Sequence, residues 1–342
     1  MWYQSLLDSG RVPDAVIRYG IRRLLADRLR AERARGEDAF LRELDASPVA
    51  VATREANEQH YEVPARFYEL VLGKRLKYSS GLWSEGVRDL DGAEQAMLEL
   101  YAQRARLADG QRVLELGCGW GSLTLWLAER FPASRITGVS NSASQRAFIL
   151  GRAAERGLDN VEIVTADMNE FRPDLSAGRF ERVLSIEMFE HMRNWRALFE
   201  RVASWLDDEG LCFLHVFAHR ELAYPFEADG DHDWMARHFF SGGIMPSDDM
   251  LLHFQRDLVV ERKWRVNGTH YQKTAEAWLA LQDLQRETLI PILAQVYGEA
   301  EAPLWFERWR LFFLACAELF GFRGGNEWFV THVRMSAREV GR

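Results

Sequence analysis

Along the N-terminal stretch, apolar residues return every three or four positions. Over residues 14–45, Ile17, Ile21, Leu24, Leu25 and Leu29 share one helical face while Arg18, Arg22, Arg23, Arg28 and Arg30 fall mostly elsewhere, the pattern of an amphipathic helix. From residue 111 the period changes. Strands are expected at Arg112–Leu116, Arg135–Val139, Val161–Thr165, Arg182–Ile186 and Leu211–Phe217, with helices at Ser122–Arg130, Gln145–Arg156 and Trp195–Leu206. Strands alternating with helices indicate an α/β fold with a doubly wound parallel sheet. After Phe217 the alternation breaks, and residues 218–255 are rich in acids, aromatics and glycine, including the turn-forming Ser241-Gly242-Gly243. A strand at Leu258–Val266, helices at 274–297 and 303–320, and a closing strand from Trp328 to Val333 follow. Such excursions suit a lid over the C-terminal edge of the sheet, where open α/β folds bind ligands. The expected division is an N-terminal helical segment (1–90), a ligand-binding core (91–217), lid and substrate insertions around the late strand (218–326) and a closing strand (327–342).

Composition narrows the classes. At 342 residues the chain is long for one core, and 47% hydrophobic with 27% charged is ordinary for a soluble protein. The net charge of −8, from 43 basic and 51 acidic residues, argues against nucleic acid as a partner. Residues 11–36 run against that balance, with eight Arg and three acids. That helix either docks on the main body, which is the expectation, or meets an anionic membrane. Cys118, Cys212 and Cys316 are widely spaced, match no zinc pattern and fit a reducing compartment. No apolar signal region or membrane-spanning stretch is visible, so a cytoplasmic location and no metal are expected.

The first strand runs into Glu115-Leu116-Gly117-Cys118-Gly119-Trp120-Gly121 and then a helix. In that context a glycine-rich loop is a nucleotide-type site. Its spacing is G-x-G-x-G, not the G-x-G-x-x-G that lays a pyrophosphate on a helix N-terminus. After the third strand, Ala166-Asp167-Met168 offers a carboxylate beside an apolar side chain. After the second, Gly138-Val139-Ser140-Asn141-Ser142 lacks an acid for ribose hydroxyls, leaving that task to neutral groups and Gln145. A third cluster, Ser185-Ile186-Glu187-Met188-Phe189-Glu190-His191, sets two acids and a histidine at a strand end. With a helix starting near Glu187, Glu187, Glu190 and His191 would share one face at i, i+3 and i+4.

The glycine loop with its preceding acid resembles the first motif of class I S-adenosylmethionine-dependent methyltransferases, in which the acid, here Glu115, helps hold the charged amino-acid end of the cofactor. More specifically, the chain resembles the cyclopropane-fatty-acid synthase superfamily and its coclaurine N-methyltransferase-like branch. The resemblance rests on LKYSSGLW (76–83), GCGWGSLTLW (117–126), GVSNSASQ (138–145), SIEMFEHMRNW (185–195), FFSGGIMPS (239–247), NGTHYQKTAEAWL (267–279) and AELFGFRGGNEW (317–328). It implies a Rossmann-like doubly wound sheet with an N-terminal helical extension and helical lid insertions. It also implies S-adenosyl-L-methionine as cofactor and S-adenosyl-L-homocysteine as product. Tyr78 and Ser79 would close over the cofactor, Gly117, Gly119 and Gly121 would form its loop, and Ser140, Asn141 and Gln145 would lie near the ribose. Asp167 and Met168 would meet the adenine and Ile186 the cofactor wall. His215 and Tyr271 match positions lining the substrate pocket, although a lone strand histidine is equally well explained as a hydrogen-bonded core residue. Position 80 departs from the pattern, because relatives commonly carry Cys where this chain has Ser80.

Glu187 separates two activities. Lipid cyclopropane synthases typically carry Gly there and are thought to hold bicarbonate as base, an anion that a carboxylate would repel. The resemblance therefore implies N-methylation of a small, aromatic or cyclic amine, with Glu187, Glu190 and His191 holding the ammonium and receiving its proton. Methylation or cyclopropanation of unsaturated phospholipid acyl chains is the alternative and would bring membrane contact. A homodimer is compatible with either. A cofactor-binding regulator would be expected to lack this acid/base cluster, which is complete here.

Overall fold

The expected strands form where apolar residues are continuous, because a parallel strand is covered on both faces. The protein is described here from a computed structural model, over residues 10–35, 38–51, 63–226, 234–240 and 242–338. Helices Asp14–Arg35 (α1), Asp38–Ala46 (α2), Ala65–Val71 (α3) and Leu90–Arg104 (α4) precede the alternation. It runs Arg112–Leu116 (β1), Ser122–Arg130 (α5), Arg135–Ser140 (β2), Ala143–Glu155 (α6), Val161–Thr165 (β3), Phe180–Ile186 (β4), Trp195–Trp205 (α7) and Leu206–His219 (β5). Then come Tyr224–Pro225 (β6), Trp234–His238 (α8), Ile244–Met245 (β7), Leu258–Val266 (β8), Gly268–Leu284 (α9), Arg286–Tyr297 (α10), Ala302–Gly321 (α11) and Trp328–Ala337 (β9).

Seven strands form one sheet in the order β3-β2-β1-β4-β5-β9-β8, and β6 pairs with β7. Neighbours from β3 to β5 are parallel, while β8 and β9 run antiparallel. Strand order reverses between β1 and β4, which opens a crevice at their C-terminal ends.

The chain divides into two compact units. One comprises Met1–Gly36, Glu62–Ala96 and Asn267–Phe329 and is helical. Tyr68, Trp278, Trp309 and Phe313 are fully buried in it, each contributing about 2–3 kcal/mol of apolar burial. Its α1 is tied down by charge as well as by Leu29: Arg18 donates to Glu276 at 2.5 and 2.7 Å and to Glu318 at 3.0 Å, and Arg22 also donates to Glu318. The other unit, Glu37–Tyr61, Met97–Val266 and Val330–Arg342, holds the sheet. Its core packs Leu114, Val183 and Leu214 from the strands against Trp195, Phe199 and Val202 of α7.

Several boundaries differ from expectation. Two helices, α1 ending at Arg35 and α2 starting at Asp38, are described where the apolar period suggested one. The 274–297 helix is two, α9 and α10, the first starting at Gly268 because the Asn267 side chain accepts the Thr269 N–H at 2.9 Å. Of the expected turn, Ser241 lies outside the described residues, as does part of 218–255.

Candidate active site

The loops following β1, β2, β3 and β4 converge on one cavity in the sheet unit. Leaving β1, the chain passes Gly117 and Gly119 at φ of +80° and +52°, conformations that only glycine adopts cheaply. The N–H groups of Gly117 and Cys118 donate to Val139 O at 3.0 and 2.9 Å, fixing the loop to the end of β2. A Cβ on Gly117 would stand 2.7 Å from Met188, whereas one on Gly119 would meet nothing within 4 Å, because that residue faces the cavity. Gly121 is the N-cap of α5 and does not line the cavity.

Ser140, Asn141 and Gln145 line one side. Ser140 Oγ donates to Gln145 Oε1 at 2.6 Å, while Gln145 Nε2 is buried with no partner among the described residues. An orphaned amide donor at a cavity wall suits a ribose hydroxyl. Asp167 and Met168 also line it, with Val139 and Ala166 as apolar neighbours. Among the described residues the lining is neutral or acidic, which suits a nucleoside. The residues present fit S-adenosylmethionine. Two expected contacts are absent from the lining. Glu115 is buried beneath the loop, where Thr124 Oγ1 donates to it, and Ile186 ends β4 in register with His215. Tyr78, Ser79 and Tyr271 belong to the helical unit, where Tyr78 packs against Tyr68 and Trp278, Lys77 donates to Ser79, and Tyr271 stacks on Phe320 at 4.1 Å.

At the end of β4 the chain does not start a helix at Glu187. That residue has φ of +49°, a left-handed conformation costing about 1–3 kcal/mol for a non-glycine residue. It is held by its own N–H, donated to His215 O at 2.8 Å, and by its carboxylate, which accepts from His215 Nε2 at 2.9 Å. A single 3₁₀ turn follows at Phe189–His191, pinned by Trp195 Nε1 donating to Phe189 O at 2.9 Å. The three candidates therefore do not share a helical face. Glu187 and His191 line the cavity, the histidine ring 4.4 Å from that of Phe240. Glu190 turns inward, is fully buried, and accepts the Phe217 N–H at 2.6 Å through Oε1. Burial, reinforced by the charge of Glu187, holds its carboxyl well above the usual carboxylate range, so Glu190 stands as the neutral acid. Its Oε2 is buried without a partner.

His215, expected either at the substrate pocket or as a hydrogen-bonded core residue, is fully buried, hydrogen-bonded and not among the residues lining the cavity. Its Nδ1 lies 2.7 Å from Tyr101 Oη and 3.0 Å from His332 Nε2, and His332 Nδ1 lies 2.7 Å from Arg104 Nη1. Tyr101, Arg104 and His332 escaped the sequence analysis because α4 and β9 are more than 220 positions apart and no short spacing links them.

A family model described as mycolic acid cyclopropane synthetase matches residues 50–327. The chain is 36% identical over 339 residues to (S)-coclaurine N-methyltransferase of Thalictrum flavum subsp. glaucum, spanning 96% of this chain and 93% of that protein. It is 29% identical over 280 residues to the cyclopropane-fatty-acyl-phospholipid synthase of Escherichia coli (strain K12), spanning 81% and 67%. A crystal structure of coclaurine N-methyltransferase bound to N-methylheliamine and S-adenosylhomocysteine matches with a TM-score of 0.93 at 35% identity, covering 98% of both chains. The glycine loop, the cavity beside it and these likenesses agree: the chain belongs to the cyclopropane synthase family, in its coclaurine N-methyltransferase-like branch, and is an S-adenosylmethionine-dependent methyltransferase.

Proposed function

We propose that this enzyme methylates the nitrogen of a small cyclic amine carrying an aromatic ring, the class to which N-methylheliamine, bound in the similar structure, belongs. The observation that carries this reading is the Glu187 carboxylate, aimed at the cavity, 9% exposed and fixed by His215. A fixed, poorly solvated anion binds an ammonium group through a charge-assisted hydrogen bond worth about 1.5–3 kcal/mol. Bound S-adenosylmethionine supplies a methyl group on a sulfonium, open to attack by a nitrogen lone pair. Protonated amines lack that lone pair, so the chain must hold the cation and then take its proton. The His215 N–H steadies the Glu187 anion, which suits Glu187 to holding the cation and leaves proton acceptance to the neighbouring His191. Holding amine and methyl donor in line supplies several kcal/mol of barrier reduction by orientation alone. Glu187 also opposes the bicarbonate-dependent lipid chemistry, and the ion pairs of Arg18 and Arg22 with Glu276 and Glu318 occupy part of the basic surface a membrane would attract.

The test is a methyl-transfer assay with a panel of primary, secondary and tertiary cyclic amines, and with vesicles of unsaturated phospholipid, following label and S-adenosylhomocysteine. Transfer to amines is expected. Label confined to the lipid fraction overturns the reading.

A further inference from the structure

The hydrogen bonds behind Glu187 have a direction, set at their far end. A guanidinium only donates, so His332 Nδ1, 2.7 Å from Arg104 Nη1, is an acceptor and the ring proton of His332 sits on Nε2. That N–H meets His215 Nδ1 at 3.0 Å, which makes Nδ1 the acceptor and places the ring proton of His215 on Nε2. His215 Nε2 then donates to Glu187 Oε1 at 2.9 Å. Three successive bonds point the same way, from a cation to a carboxylate. Tyr101 Oη also reaches His215 Nδ1, but a hydroxyl donates or accepts and so follows the tautomer that Arg104 dictates. Both histidines are fully buried, on the adjacent strands β5 and β9, and Tyr101 and Arg104 reach them from one turn of α4.

We infer that Arg104 and His332 are positioning residues that lock the tautomer of His215 and thereby hold Glu187 as an oriented anion for the amine. The inference rests on the reading of Glu187 given above. The line is not a proton exit, because draining a proton from Glu187 needs an acceptor at the far end and arginine has none. Nor does Glu187 compete with a second anion, since Glu190 beside it is held neutral. Burial lowers Arg104 to about 10, which leaves it a cation at neutral pH, and Arg262 lies near enough to add to that lowering. Its guanidinium stacks over Trp264 at 5.0 Å, which fixes the donor that starts the sequence.

Nitrogen-15 spectra of histidine-labelled wild-type protein test the geometry without any substrate. Residues His215 and His332, assigned through single variants, are expected to show protonated Nε2 and bare Nδ1. A protonated Nδ1 at either residue overturns the inference. Kinetics with an accepted amine test the consequence. His332→Phe and Arg104→Met are each expected to lower kcat/KM for the amine about tenfold or more, the usual size of effect for a residue orienting a ligand group, with S-adenosylmethionine affinity unchanged. The double variant should be no worse than either single one, because both break one line. His332→Gln, whose amide can accept from Arg104 and donate to His215, should recover most of the loss. Wild-type kinetics in His332→Phe, alongside collapse in Glu187→Gln, overturn the line alone. Full turnover in Glu187→Gln overturns the role of Glu187 and the line with it.

Discussion

Glu187 and Glu190 sit three positions apart in opposite surroundings, and only Glu190 is pushed toward its neutral form by burial. Glu187 faces the cavity with an imidazole N–H on it, whereas Glu190 is sealed under the turn, where Oε1 accepts the Phe217 N–H and Oε2 has no partner among the described residues. Backbone N–H groups do not repay burying this charge, which favours the acid form. A carboxamide then imitates the native state: Glu190→Gln keeps an oxygen for the Phe217 N–H and the same volume. Its unfolding free energy at pH 7 is expected to lie within about 1 kcal/mol of wild type. Glu190→Ala strands that N–H and leaves a void, costing about 2–4 kcal/mol. Denaturant unfolding of the two variants decides it. Equal losses in both would mean that Glu190 is folded in as the anion.

Within the helical unit, Glu94 of α4 plays a comparable part for a whole segment. Fully buried, it accepts the N–H groups of Gly73 at 2.9 Å, Arg75 at 2.9 Å and Lys77 at 3.3 Å, so one side chain ties down the loop that leads to Tyr78 and Ser79. Burial outweighs these bonds and pushes its carboxyl up to about 7. Between its ordinary value of 4.5 and about 7 the folded protein therefore holds a proton that the unfolded chain has released. Stability is full below that window and falls as pH rises through it. Glu94→Gln cannot titrate. The wild-type advantage over this variant should shrink by up to about 3 kcal/mol from pH 5 to pH 8 in denaturant melts, and a constant difference would show that Glu94 does not change charge. Nothing in the sequence marked Glu94, because its partners are backbone groups. The strands, in contrast, were legible to within a residue or two at β1, β3 and β8, where apolar runs are bounded by glycine or polar turns. The acids after β4 suggested a helix because i, i+3 and i+4 spacing satisfies one. Pairing of Ile186 with His215, and the Glu187 N–H bonded to His215 O, instead force a left-handed turn that spacing cannot encode.

Across the molecule, the two halves of the site differ in how they are written. The cofactor half is local, with Gly117, Gly119, Ser140, Asn141, Gln145, Asp167 and Met168 each at the end of a strand or a few residues past one, so a motif finds them. The acceptor half depends on α4, β5 and β9 meeting behind Glu187, which only the folded sheet reveals. This separation predicts that the two halves fail independently. A ligand that binds only the folded state stabilises it by about 2.7 kcal/mol at a hundredfold excess over its Kd, so S-adenosylhomocysteine should raise the melting temperature of wild type. Glu187→Gln removes a charge from the acceptor side and leaves the glycine loop intact, so the same rise is expected there. Gly119→Val puts branched carbon into the open space in front of residue 119 and strains a backbone at φ of +52°. Its ligand-free melting temperature should drop by a few degrees, and the rise with S-adenosylhomocysteine should vanish. A rise that survives in Gly119→Val would place the cofactor away from this loop, and one lost in Glu187→Gln would make Glu187 part of the cofactor site instead of the amine site.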